Sequence, residues 1–255
     1  MQFRGISLFA RIYLIAACVS AISCGPFLTV CGAQINSDAS LQSPRKMPPQ
    51  VARGAQCRIL YLGIVGGLET ANNPRSGVVQ IRDVLRGKEY PDVCAKSFSP
   101  YVWLSGLNWV LEYFPPHPGR FTDDELERAP EIVIVGHSLG GWAAVSIARN
   151  LDLRNIPVEL TVQIDSVGFT DHTVPKNVKA AAIFHARDVL MFLTTKGIKL
   201  EDPNQTRLVE NVLVRNAGHE SVTRDPRIRQ LVLGTVESLR GGSAQTNHPS
   251  EQPRL

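Results

Sequence analysis

Four residues in this chain are of types that together could run nucleophilic catalysis: Ser138, His219 and the aspartates Asp165 and Asp188. A serine hydroxyl is a poor nucleophile unless a base takes its proton as it attacks, and a carboxylate can hold that base in the right orientation. Ser138 stands in Gly136-His137-Ser138-Leu139-Gly140, an instance of G-x-S-x-G. Ahead of it, Ile132 to Val135 is a β-branched run such as a strand buried on both faces needs. Behind it, Gly141, Ala143, Ala144 and Ala148 keep one side of a helix small enough to lie against a sheet. Strand, sharp turn and helix would hold Ser138 in a strained conformation with its Oγ above the sheet. Only side-chain-free neighbours at Gly136 and Gly140 leave room for such a turn. The helix N-terminus that follows offers backbone N–H groups to an anion.

The elements that must position these residues alternate along the chain. Cys57 to Val65 reads as a first strand, ending in Gly66-Gly67-Leu68. Ser76 is placed to cap a helix carrying Val78, Val79, Ile81, Val84 and Leu85 on one face, and Gly87 ends it. Asp92 to Ser99 is a second strand. A helix over Val102 to Phe114 puts Leu104, Leu107, Val110, Leu111 and Phe114 on one face before Pro115-Pro116 stops it. A loop then leads to the Ser138 strand. Beyond the elbow, strands are predicted at Val158–Ile164, Val178–Ala186 and Arg207–Val214, with a final helix at Ile228–Leu239. Such alternation builds a parallel sheet covered by helices on both faces, an α/β fold.

In that architecture Ser138, Asp165, Asp188 and His219 all follow strands directly, so they share one rim of the sheet. Open parallel sheets bind ligands there. His219, after the last strand, is placed to serve as the base. Of the other histidines, His137 lies inside the elbow and by alternation points away from the Ser138 side chain. His117 lies in a Pro-rich loop, His185 within a strand and His248 in the tail. His172, in the loop after Asp165, is the rival. The residues alone leave Asp165 and Asp188 both open as the orienting acid, since both could reach the same imidazole nitrogen.

With Gly136-His137-Ser138-Leu139-Gly140-Gly141 at the elbow and Ala217-Gly218-His219-Glu220 before a terminal helix, the sequence resembles the α/β-hydrolase superfamily over about residues 57–240. The elbow matches the lipase/esterase form. The run from Val162 to Gly168, continued through Val174-Pro175-Lys176-Asn177-Val178, resembles an extracytoplasmic bacterial branch. The resemblance implies an α/β-hydrolase fold and a serine hydrolase that cleaves carboxylic esters or thioesters through an acyl-enzyme. It implies a triad in the chain order Ser…Asp…His from Ser138 to His219: Asp188 stands where the superfamily's acid commonly lies and Asp165 where some lipases carry it, with Asp165 preferred because the match to the extracytoplasmic branch runs through it. Arg187 also gives Asp188 a neighbour of its own. The oxyanion donors implied are the backbone N–H of Leu139 and that of Gly67 or Leu68. An idle scaffold of the same fold used for binding is the alternative.

The segment between Asp165 and the next strand is about a dozen residues, so a short or absent lid is expected, favouring small or surface-accessible esters. Trp103, Trp109 and Trp142 are candidates to line an acyl pocket, though core packing is the commoner fate of tryptophan. The expected partner is a small-molecule ester or lipid. No metal or organic cofactor is expected, because no His/Cys/Asp/Glu cluster has metal-ligand spacing.

Composition frames the rest. At 255 residues and 44% hydrophobic content, the chain can bury one sizeable core. Arg4 and Arg11 account for half of the formal net charge of +4. No basic run interleaves with aromatics, so nucleic acid is not an implied partner. Residues 1–33 read as a targeting segment: those arginines, then an apolar stretch ending in Cys31-Gly32-Ala33. Cleavage before Gln34 is one reading and a lipoprotein signal leaving a lipid on Cys24 is another. The third is an uncleaved membrane tether. All three carry the rest of the chain out of the cytoplasm, to the periplasm or beyond. Residues 34–56 read as a Pro-rich linker, 57–240 as the hydrolase domain and 241–255 as a disordered tail. Cys57 and Cys94 remain as an even pair on strands expected to be parallel neighbours, either disulfide-bonded or as two buried thiols.

Overall fold

The structure is a computed structural model that describes residues 57–168, 172–187 and 197–242. The targeting segment, the linker, Asp188, His248 and the chain beyond Gly242 lie outside the described residues. Six parallel strands form the sheet in the order β2-β1-β3-β4-β6-β8. They are β1 (Ile59–Ile64), β2 (Val93–Phe98), β3 (Glu131–His137), β4 (Val158–Ile164), β6 (Val178–Ala186) and β8 (Arg207–Val214). A separate two-residue parallel pair joins β5 (Thr173–Val174) to β7 (Lys199–Leu200).

Burial explains which stretches became central strands. All six residues of β1 are buried, as are six of the seven in β3, so both faces of these strands must be apolar. The edge strands β2 and β8 keep partly exposed residues at every position but Ala95 and tolerate Lys96, Arg207 and Glu210. Alternation sends Ile59 and Tyr61 into one layer, against helix α1 (Gly77–Gly87) and helix α5 (Pro226–Gly242). Leu60 and Leu62 go to the other, against α2 (Trp103–Leu111) and α4 (Leu139–Asp152). A short α3 (Asp123–Leu126) carries a capping box between Thr122 and Glu125 in the loop before β3. A parallel sheet with helices on both faces, and a strand-turn-helix at Ser138, is the α/β architecture that the alternation of elements predicts.

Several expectations need correction. Ser76 sits at the N-cap of α1, but its side chain makes no capping bond; Thr223 Oγ1 instead accepts from Gly77 N at 3.1 Å. The two segments touch so closely that a Cβ on Gly77 would lie 1.7 Å from the Thr223 carbonyl oxygen. Leu104 does not join the apolar face of α2: it is 55% exposed, while Trp109 is buried in that core. The helix begins at Trp103 because Pro100–Val102 forms a 3-10 turn first. The last helix runs from Pro226 through Gly242, longer than the Ile228–Leu239 expected. Of the two readings open for Cys57 and Cys94 the structure bears out the disulfide, with Cα atoms 5.6 Å apart where β1 and β2 run as parallel neighbours.

Candidate active site

Ser138 has φ 55° and ψ −124°, a region a non-glycine residue occupies only where its surroundings force it. The forcing comes from both sides. A Cβ on Gly136 would stand 2.1 Å from Gly140 O, and one on Gly140 would stand 2.4 Å from Ile64 O. On Gly141 a Cβ would lie 2.2 Å from Ser166 Oγ. The turn exists because glycine fills these positions, and it is pinned by Ser138 N donating to Ile164 O at 2.9 Å.

The rim then brings three predicted residues into one line. Ser138 Oγ lies 2.8 Å from His219 Nε2, and His219 Nδ1 lies 2.6 Å from Asp165 Oδ2. The carboxylate can only accept, so Nδ1 carries the ring proton and Nε2 is left to accept from the serine hydroxyl. Asp165 is fully buried, and its Oδ1 accepts from Ala186 N at 3.0 Å. Its own backbone is strained as well, at φ 42°. Such a line can take a proton from a hydroxyl as that hydroxyl attacks and return it to a leaving group.

The remaining candidates fall into place. Leu139 N opens helix α4, so it is among the amides with no partner inside the helix. Gly67 lies beside it, since a Cβ there would be 3.5 Å from Leu139 Cδ2 and 3.1 Å from the Tyr101 hydroxyl. The Leu68 side chain points outward, 60% exposed. His172 is exposed, and its carbonyl pairs with Lys199 N in the β5–β7 region. His185 is buried against Asn211 Oδ1 at 3.0 Å, and His117 faces Glu125. Trp109 is core, whereas Trp103 and Trp142 meet edge to face with centroids 6.1 Å apart. Asp188 lies outside the described residues. Among the described residues, no group of three or more His, Cys, Asp or Glu is arranged to hold a metal ion.

Sequence reasoning passed over two residues at this site. His137 is 2% exposed, with Nδ1 2.6 Å from Glu69 Oε1 and Nε2 2.8 Å from the carbonyl oxygen of His219. Glu69 follows the Gly66-Gly67-Leu68 turn. Burial pushes its carboxyl up, but the hydrogen bond and charge of His137 outweigh that and hold it down at about 2. The alternation that sends the His137 side chain away from that of Ser138 was read as taking it out of the site. An acid directly after a glycine turn, together with a histidine inside an elbow, is the signal that could have pointed to them.

No protein-family model and no curated protein matches the sequence. Among solved structures, the chain is similar to a dienelactone hydrolase from Anabaena variabilis, with a TM-score of 0.45 and 13% identity over 72% of this chain and 88% of that one. It is also similar to the NocB thioesterase domain from the nocardicin cluster, at TM-score 0.41 and 13% identity, covering 73% of this chain and 95% of that one. A marine microorganism esterase is matched at TM-score 0.37 and 14% identity, covering 71% and 96% respectively.

Proposed function

We propose that this protein is a serine hydrolase that cleaves carboxylic esters or thioesters through an acyl-enzyme intermediate. The observation that carries the reading is the hydrogen-bonded line Asp165–His219–Ser138, ending on a serine held at positive φ. Ser138 Oγ attacks the carbonyl carbon while His219 Nε2 takes its proton, and the imidazolium so formed is stabilised by the buried Asp165. The carbonyl oxygen becomes an anion, received by the amides of Leu139 and of Gly67 or Leu68. Collapse of the adduct expels the alcohol or thiol, which takes the proton from Nε2. Water then attacks the acyl-serine by the same route in reverse, releasing the acid. Neither a metal nor an organic cofactor enters these steps.

An extracytoplasmic site of action is part of the same proposal. It is supported by the Cys57–Cys94 disulfide, which persists in oxidising compartments, and by the apolar N-terminal stretch. That stretch could also tether the enzyme to a membrane. After Asp165 the chain passes through the two-residue β5 and enters β6, leaving no room there for a large helical lid. This favours small or surface-accessible esters as substrates. A chain-length series of p-nitrophenyl esters on the purified domain tests the reading, with Ser138→Ala as control. Hydrolysis that falls steeply beyond short acyl chains and vanishes in the variant supports it. Equal rates in both proteins would leave the idle scaffold as the better reading.

A further inference from the structure

His137 and Glu69 take no part in the proton transfers above, yet they are built into the site from behind. The ring of His137 lies 4.8 Å from that of His219, centroid to centroid. Each of its nitrogens faces a group that can only accept: the Glu69 carboxylate on one side, the His219 carbonyl on the other. A neutral imidazole has one N–H and could satisfy one of them. Glu69 is itself held in place. Its N donates to Gly66 O at 3.0 Å, and its Oε2 lies 3.4 Å from Asn73 Nδ2. A Cβ on Gly66 would come within 2.9 Å of Glu69 Oε1 and 3.0 Å of His137 Nδ1, so glycine there is what lets the pair close.

Three separate segments therefore meet at one pair, a buried His137 and a partly exposed Glu69: the turn after β1 with Gly67, the elbow with Ser138, and the loop with His219. We propose that Glu69 and His137 are positioning residues that act as one unit, fixing the His219 backbone and the Gly67 turn relative to Ser138. The proposal rests on the hydrolase reading of Ser138, Asp165 and His219. The pair touches no reacting atom and works through the placement of groups that do. Displacements near 1 Å at a reacting centre can cost about 10²-fold in rate, which sets the size of effect to expect.

The test uses His137→Gln, Glu69→Gln and the double variant, with kcat referred to sites titrated by a fluorophosphonate. His137→Gln should lower kcat on p-nitrophenyl butyrate by about 10²-fold and Glu69→Gln by roughly tenfold, with KM within about twofold of wild type. Residues acting as one unit are non-additive, so the double variant should be no slower than His137→Gln alone. A pair that served stability alone would lower the thermal midpoint and leave kcat per titrated site unchanged, which overturns the proposal. So would a double variant whose loss is the product of the single losses. Should His137→Gln fail to fold, Glu69→Gln carries the test, because that side chain is partly exposed and its amide keeps the shape. If the wild type neither hydrolyses esters nor labels, the hydrolase reading fails by itself. The clamp is then read by amide hydrogen exchange: faster exchange over residues 215–221 in Glu69→Gln upholds it, and unchanged protection refutes it.

Discussion

Replacing Asp165 by asparagine changes one atom and should stop the chemistry. The carboxylate makes two contacts, accepting from Ala186 N through Oδ1 at 3.0 Å and from His219 Nδ1 through Oδ2 at 2.6 Å. An asparagine can keep only one of them as an acceptor. If its NH₂ faced Ala186, two donors would oppose each other in a fully buried place, costing about 1–3 kcal/mol. The amide therefore keeps its oxygen on Ala186 and turns its NH₂ toward His219. Nδ1 must then accept, the ring proton moves to Nε2, and Nε2 faces Ser138 Oγ as a donor. The base is lost although every heavy atom stays in place. The same inversion costs about 10⁴ in kcat where it has been characterised in serine enzymes, or about 5.5 kcal/mol of transition-state stabilisation. The assay is kcat on p-nitrophenyl acetate beside a thermal midpoint, with Asp188→Asn measured in parallel. A fall of about 10⁴ at Asp165 and a mild change at Asp188 are expected. Near-wild-type turnover in folded Asp165→Asn would refute the tautomer argument, and a severe loss at Asp188 would move the role there.

Three further outcomes follow from other parts of the structure. Gly136→Val should yield misfolded protein, because the first added carbon would stand 2.1 Å from Gly140 O and 2.8 Å from Gly141 Cα, which are backbone atoms with no freedom to move aside; a soluble variant with a wild-type circular dichroism spectrum would contradict this. Reducing the Cys57–Cys94 bond releases a loop with a sequence separation of 37. It should cost about 4 kcal/mol, seen as a thermal midpoint lower by roughly 10 °C, and an unchanged midpoint would show that the bond contributes nothing. Glu69 is held at about 2, below the 4.5 of an unfolded glutamate, so its contribution is present in full above pH 4.5 and is lost as pH falls toward 2. The contribution is at most about 3 kcal/mol. Urea midpoints at pH 6 and pH 3 should therefore differ more in wild type than in Glu69→Gln, and equal differences would refute it.

Much of this was legible because the chain encodes it locally. β4, β6 and β8 have the bounds expected from their apolar runs, and the elbow announces itself through three glycines whose missing side chains are each required by a backbone or side-chain atom close by. The placement of Ser138, Asp165 and His219 on one rim follows from parallel strands alone. What was not legible lies in contacts between distant segments. Thr223 caps α1 across 146 residues with no local pattern to announce it, and His137 meets Glu69 across 68, where each residue is marked by its own turn but nothing local says that the two turns meet. Leu104 was misassigned because it lies at the edge of the stripe that Gly106, Leu107, Trp109 and Val110 bury, where apolar spacing alone does not separate a covered residue from an exposed one. The β5–β7 pair is two residues long on each side, too short for any periodicity to show.

The central claim is that Ser138 is an activated nucleophile, and a fluorophosphonate probe addresses it without knowledge of the natural substrate. Intact-mass measurement of the domain after exposure to the probe should show one adduct, and peptide mapping should place it on Ser138. His219→Ala should slow labelling by orders of magnitude, because the hydroxyl then lacks a base. A wild-type protein that stays unlabelled while folded, or an adduct on any other residue, would contradict the account.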